Sequence, residues 1–213
     1  MADARREVLE RIRGGLGDRS ATPAPLEYAT ILRSYGRRGE RDPEERLALL
    51  LERLRDYDAH VVETTAGALP QTIAAILAEH RQKTVIAADG LPAGVLPAGF
   101  AFIPECEAAI DELNRCDGIV TTCTVAIAFT GTIVLTHGPG EGARRLTLLP
   151  DRHLCIVRAD QVVETVPEGF DRLAAFDKRP LTFISGPSAT ADIEMTRIRG
   201  VHGPRFMDAV LVR

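Results

Sequence analysis

The sequence predicts one α/β domain of three layers, with a mixed, largely parallel sheet and helices on both faces, plus a short N-terminal helical segment. Three observations carry this. Amphipathic stretches with apolar residues at i, i+3, i+4 and i+7 alternate with short apolar runs. The links between those runs are long enough to hold a helix, whereas antiparallel neighbours can be joined by a tight turn. One region, Thr124 to His137, instead alternates apolar with small residues around Thr130-Gly131, which reads as two strands about a turn or bulge.

The elements follow in order. Ala4 to Arg13 reads as a short helix, and GGLGDRSATPAP after it as a flexible connector. Tyr28 to Glu40 is polar and Arg-rich, either a solvated loop or a cap on a neighbouring subunit. Residues 1–40 are accordingly an appendage, and 41–213 the α/β domain. Asp42-Pro43-Glu44-Glu45 is a helix start, with Asp42 as cap, Pro43 in the first turn and Glu45 at the capping-box position. Leu47, Leu50, Leu51 and Leu54 then form one buried stripe. His60 to Glu63 is a strand, and Pro70 opens a helix with Ile73, Ile76, Leu77 and His80 on one face. Lys83 to Ala88 is an apolar strand, and Phe100 to Ile103 is strand-like. Glu105 to Cys116 is helical with Ala109, Ile110 and Leu113 inward. His153 to Val157, Leu181 to Ile184 and the MDAVLVR segment add strands, with a helix near Gly169 to Phe176.

Composition narrows the function. The chain is 45% hydrophobic and 26% charged, with a net charge of −4, no tryptophan and few aromatics. That argues against a nucleic-acid surface. The uncharged stretch Gly118 to Gly140 is long enough to prompt a membrane check, but it holds six threonines and alternates, so it reads as sheet. No targeting signal is evident at the N-terminus, and a cytoplasmic location without membrane insertion is expected. Cys106, Cys116, Cys123 and Cys155 show no Cys-x-x-Cys spacing, so reduced thiols are expected, with no cluster or metal in this chain. Gly-x-Ser-x-Gly and His-Glu-x-x-His are also absent.

Three loops carry the candidate chemistry, since ligands in α/β sheets gather at strand ends. Thr130-Gly131-Thr132 offers hydroxyls beside a glycine, fit either to bind an anion or merely to turn the chain. His137-Gly138-Pro139-Gly140-Glu141-Gly142-Ala143-Arg144-Arg145 resembles a phosphate or carboxylate cradle if a helix starts near Ala143; otherwise it is a glycine-rich connector. Ser185-Gly186-Pro187-Ser188 follows a strand, and Thr190 to Glu194 is a candidate short helix capped by Ser188 or Thr190. Glu194, Asp192 and His202 are the candidate catalytic groups, with no role assignable from spacing. Thr130, Gly131, Thr132, His137, Gly138, Gly140, Arg144, Ser185, Gly186, Ser188 and Thr190 are the candidate ligand-binding residues.

The order of TGTIVL, LLPDRH and GPSATADIEMTRIRGVHGP resembles the lactate utilization protein C family of LUD-domain proteins, densely from about Gly118 onward and loosely before it. The resemblance implies the α/β fold of CoA transferases and sugar-phosphate isomerases. It implies an accessory role in oxidising L-lactate to pyruvate with two partners, one rich in iron–sulfur cysteine motifs and one cysteine-rich, which would hold the clusters. Thr130 to Thr132 match the family's TGT element. Ser185 to Pro187 with Thr190, Asp192 and Glu194 match its GP-x-x-TADIE element, and His202 to Pro204 its closing HGP. The family pattern places an acidic residue before TGT, where this chain has Phe129. That departure favours binding or assembly over catalysis. The alternatives are a stand-alone transferase or cycloligase-like enzyme of the same fold, and a metabolite-sensing regulator. Oligomerisation is open.

Overall fold

The computed structural model describes residues 2–16, 28–176, 178–190, 198–200 and 203–213. The chain divides into two compact units, 1–36 and 37–213. The first carries helix α1 (Ala2–Leu16), with Val8, Leu9 and Ile12 exposed and an Arg11–Glu7 ion pair at 2.7 Å.

The second unit begins with a strap. The Gly39 and Arg41 amides donate to the carboxylates of Glu168 and Glu164, and the Arg41 guanidinium reaches Glu164 at 2.7 Å. Helix α2 (Pro43–Asp56) follows, with the predicted capping box: Asp42 Oδ1 accepts from the Glu45 amide at 2.9 Å, and Glu45 returns to the Asp42 amide. Its leucine stripe is buried as expected.

Seven strands with short connecting elements come next. They are β1 (His60–Thr64), β2 (Thr84–Ala87), β3 (Ala101–Pro104), β4 (Gly118–Thr122), β5 (Val125–Ile127), β6 (Thr132–Leu135) and β7 (Arg152–Arg158). Helix α3 (Leu69–Glu79) joins β1 to β2, and α4 (Ile110–Arg115) joins β3 to β4. The rest comprises β8 (Val162–Val163), α5 (Val166–Leu173), β9 (Thr182–Ile184), β10 (Ala189–Thr190), β11 (Ile198–Arg199) and β12 (Phe206–Val212).

The main sheet is six-stranded and wholly parallel, in the order β1-β12-β7-β4-β2-β3. The antiparallel pair predicted around Gly131 is present as β5 and β6, but it belongs to a second sheet of four strands, β8-β5-β6-β9. The mixed character expected of one sheet is thus divided between two. The α/β class and flanking helices are as predicted. Helix α3 packs Ile73, Ile76 and Leu77 on one face of the main sheet against Val85, Val120, Leu154 and Val210. On the other face lie α2 and the second sheet, whose Ala126, Ile133 and Leu135 meet Cys155, Val157, Ala209 and Leu211. Helix α4 covers Ile86 and Ile119 on that same side. No helix among the described residues is long and apolar enough to cross a membrane.

Two local expectations are corrected. Residues Glu105–Glu107 form a 3-10 turn, and α4 begins only at Ile110, where Glu112 caps the Ala109 amide at 2.8 Å. Leu113 is therefore buried while Ala109 and Ile110 face solvent. No α-helix starts near Ala143; Arg144–Thr147 is a single 3-10 turn. Ala189–Thr190 pairs antiparallel with Ile198–Arg199, and the short helix expected from Thr190 to Glu194 falls, beyond Thr190, outside the described residues.

Gly131, at φ +58°, makes the β5–β6 turn beneath α2, where an added Cβ would meet Arg53 Cβ at 2.7 Å and its carbonyl carbon at 3.0 Å. A left-handed conformation and a backbone obstacle coincide there. Gly131→Ala should lower unfolding stability by about 1–3 kcal/mol, measured as a reduced urea midpoint at unchanged slope; a variant as stable as the parent would show that the turn can shift.

Candidate functional site

The chemistry gathers under the turn that follows β9. A cavity of about 250 Å3 is lined there by Ser185, Gly186, Pro187 and Ser188. Arg144 and Thr147 approach it from the 3-10 turn, Thr182 from β9, and His153 and Met207 from the first residues of β7 and β12. Gly203 and Pro204 close it, and the Pro204 carbonyl accepts the Ser188 amide at 2.8 Å. Gly186, at φ +82°, lets the turn lie against Tyr57, whose carbonyl oxygen would be 2.6 Å from an added Cβ.

Arg144 supplies the positive charge. Its guanidinium donates to Thr147 Oγ1 at 2.5 Å, and that hydroxyl donates in turn to the Arg144 carbonyl at 3.0 Å. His153 lies beneath the cavity, 1% exposed, with Nε2 2.7 Å from Thr121 Oγ1. Burial pushes its pKa down to about 4, with Asp208 pulling the other way. At neutral pH it is an uncharged hydrogen-bonding wall, not a second cation.

Four of the predicted binding residues, Arg144, Ser185, Gly186 and Ser188, meet at this cavity. The TGT triplet does not line it. The Thr130 and Thr132 hydroxyls are hydrogen-bonded to each other at 2.8 Å, and Thr132 reaches the site only through a 2.8 Å bond to Ser185 Oγ. Phe129 is also outside the lining and 61% exposed. Of Thr190, the backbone alone is described, in β10. Asp192, Glu194 and His202 lie outside the described residues.

The glycine-rich loop is built differently from an open cradle. His137, at φ +56°, spends both ring nitrogens on the protein, with Nδ1 2.7 Å from the Gly142 carbonyl and Nε2 2.7 Å from Thr182 Oγ1. The Gly140 amide donates to the Asp89 carbonyl at 2.7 Å, and Gly138 packs beside Arg179. The loop's anionic partners are its own. Glu141, buried, takes the Thr136 amide at 2.5 Å and the Thr124 hydroxyl at 2.5 Å, while Glu105 takes the Ala143 amide at 2.9 Å. Beside Arg144, a shallower groove runs past His137, Gly138, Arg145 and Arg179.

Thr147, His153 and Thr182 escaped the sequence reading as site residues. His153 closes the LLPDRH motif, and its place at the start of an apolar strand was the available signal. The four cysteines are free thiols. The hydrogen bond with Cys155, burial and the nearby Glu141 charge push Cys123 well above the usual thiol range. Burial raises Cys116, and a hydrogen bond to Asp89 raises the exposed Cys106. These thiols are poor nucleophiles at neutral pH.

The depressed His153 pKa fixes a sign. The unfolded imidazole takes up a proton near pH 6.5 but the folded one only near 4, so folding stability falls as pH drops through that window. The total is about 3 kcal/mol below it. His153→Asn should flatten the fall of melting temperature between pH 6.5 and 4 relative to the parent; parallel curves would assign the loss to other groups.

The LUD domain family model matches residues 41–212. A lactate utilization protein C of Deinococcus radiodurans is 42% identical over 193 residues, spanning 89% of this chain and 83% of that protein. Another, from Halalkalibacterium halodurans, is 28% identical over 212 residues, with 92% and 90% covered. The crystal structure of a DUF162 family protein from Deinococcus radiodurans superimposes with a TM-score of 0.71 at 37% identity, covering 82% of this chain and all of that one. With this domain match and these relatives, the chain belongs to the LUD domain family.

Proposed function

We propose that this protein acts in lactate utilization as an accessory subunit of an L-lactate-oxidising system, binding a small carboxylate or phosphate in the cavity beneath the Ser185–Ser188 turn. The 42% identity to a lactate utilization protein C across most of both chains carries the role. The cavity supports the ligand class. Its volume of about 250 Å3 falls at the small end of ligand sites, which favours a metabolite over a nucleotide-sized cofactor. Arg144, with the Ser185 hydroxyl beside it, supplies donors suited to carboxylate or phosphate oxygens, and neutral His153 lines the cavity without adding charge.

Oxidising lactate to pyruvate releases two electrons and two protons. In this reading the electrons pass to two cysteine-rich iron–sulfur partners, and this chain holds or orients a carboxylate in the assembly. The raised thiols of Cys106, Cys116 and Cys123 fit a subunit in which these three cysteines are not reactive.

Two measurements test this. Calorimetry with L-lactate, pyruvate and phosphate should show saturable binding of at least one, weakened roughly tenfold by Arg144→Gln, the loss of one charge-assisted contact at an exposed site. Anoxic affinity purification from the native host grown on L-lactate should recover two cysteine-rich proteins and lactate-dependent dye reduction. A chain that binds none of the three anions and emerges alone overturns the proposal. Turnover of a CoA or sugar-phosphate substrate by the isolated chain would replace it with a stand-alone enzyme.

A further inference from the structure

Strand β12 is an interior strand of the parallel sheet, between the edge strand β1 and β7, and its residues from Met207 to Val212 are buried. One of them is Asp208, 1% exposed, in an otherwise apolar run. A carboxylate there is costly unless it is satisfied by charge or metal. Arg152 satisfies part of it, with Nη1 2.8 Å from Oδ2 and 3.1 Å from Oδ1. Two imidazoles converge on Oδ1 as well. His60 Nδ1, on the first residue of β1, lies 2.9 Å away although 148 residues distant in sequence. His80 Nε2, at the end of α3, lies 3.6 Å away.

That last distance is the informative one. The His80 Nε2 atom is buried, and it makes no hydrogen bond among the described residues. At 3.6 Å it is too far from Oδ1 for one. It is close to the spacing of two donors on one tetrahedral ion, since bonds of about 2.0–2.2 Å place neighbouring ligand atoms roughly 3.3–3.6 Å apart. The three donor atoms lie within 4.8 Å of one another, and the two rings stand edge to face at 5.9 Å. The His60 side chain is 43% exposed, giving the site a route to solvent.

We propose that His60, His80 and Asp208 form a binding site for a borderline divalent transition metal, zinc in the first instance, with solvent completing the coordination. Two imidazoles and one carboxylate select that class over hard cations such as magnesium or calcium, which favour all-oxygen ligands. Arg152, which bonds both carboxylate oxygens with Oδ2 the nearer, serves as outer support that holds the carboxylate in place. The site is separate from the anion cavity. Neighbouring residues of a strand point to opposite faces, so Asp208 and Leu154 look toward α3, while Met207 and His153 look toward the cavity. The sequence shows no metal spacing because the three ligands come from β1, the end of α3 and β12.

The test is titration of the full chain with Zn2+ by calorimetry, and with Co2+ followed by its visible ligand-field bands, in a Cys106→Ser background that removes the exposed thiol. One saturable equivalent is expected, with affinity lowered at least tenfold in His80→Gln and in His60→Asn. His60 is half-exposed, so its variant keeps the fold, and circular dichroism without metal confirms that for both. Zn2+ should raise the parent melting temperature and leave both variants unmoved. Absence of saturable binding in the parent, or unchanged affinity in both folded variants, overturns the site.

Discussion

The buried carboxylate of Glu141 holds together the parts of the molecule on which the candidate site depends. It accepts the Thr136 amide at the end of β6 and the Thr124 hydroxyl before β5, so it ties the two ends of the antiparallel pair into one frame. The Gly140 carbonyl, one residue earlier, accepts the Thr122 amide at the end of β4, which joins that frame to the main sheet. A few residues later Glu105 takes the Ala143 amide and sets the 3-10 turn that presents Arg144. A buried carboxylate is tolerated when several donors converge on it, and here those donors come from the chain segments that must meet. The loop resembled an anion cradle for a physical reason: it is one, and its anions are Glu141 and Glu105.

That explains which parts of the site were legible. Glycines, hydroxyls and arginines mark loops that bind negative charge, but no spacing rule says whether the charge arrives as ligand or is already in the chain. Arg144, Ser185, Gly186 and Ser188 were legible because a strand ends just before Ser185 and a turn carries Arg144. His153 was not, because its place at the opening of an apolar strand is a weak signal, and its neutrality comes from burial that only the packed fold supplies. The TGT triplet misled in the other direction. Its residues are positioned for the β5–β6 turn under α2, and the chain meets the cavity one hydrogen bond further on, at Ser185.

The fold shows the same division. Capping signals and leucine spacing located α2, and periodicity located α3, since both are local. The start of α4 was misplaced because a 3-10 turn consumed Glu105 to Glu107 in service of the loop opposite. The separation into two sheets was invisible to pattern reading, because β5 and β6 are as apolar as the strands they pack against and differ only in partners.

The position of β12 has a bearing on how the protein is made. Among the described strands it is the last to be synthesised, yet it fills the gap between β1 and β7. Until residues 206–212 have left the ribosome, those two strands present unpaired edges to one another's missing neighbour, and neither apolar face of the sheet can close. The domain therefore cannot mature progressively from its first residues onward. Its nascent form carries an open edge at β1, joined by a second at β7 once residue 158 is made, until residues 206–212 pair with both, the state in which pairing with the wrong chain is most damaging. Chaperone protection during synthesis matters more for such a topology than for one whose final strand is added at the rim.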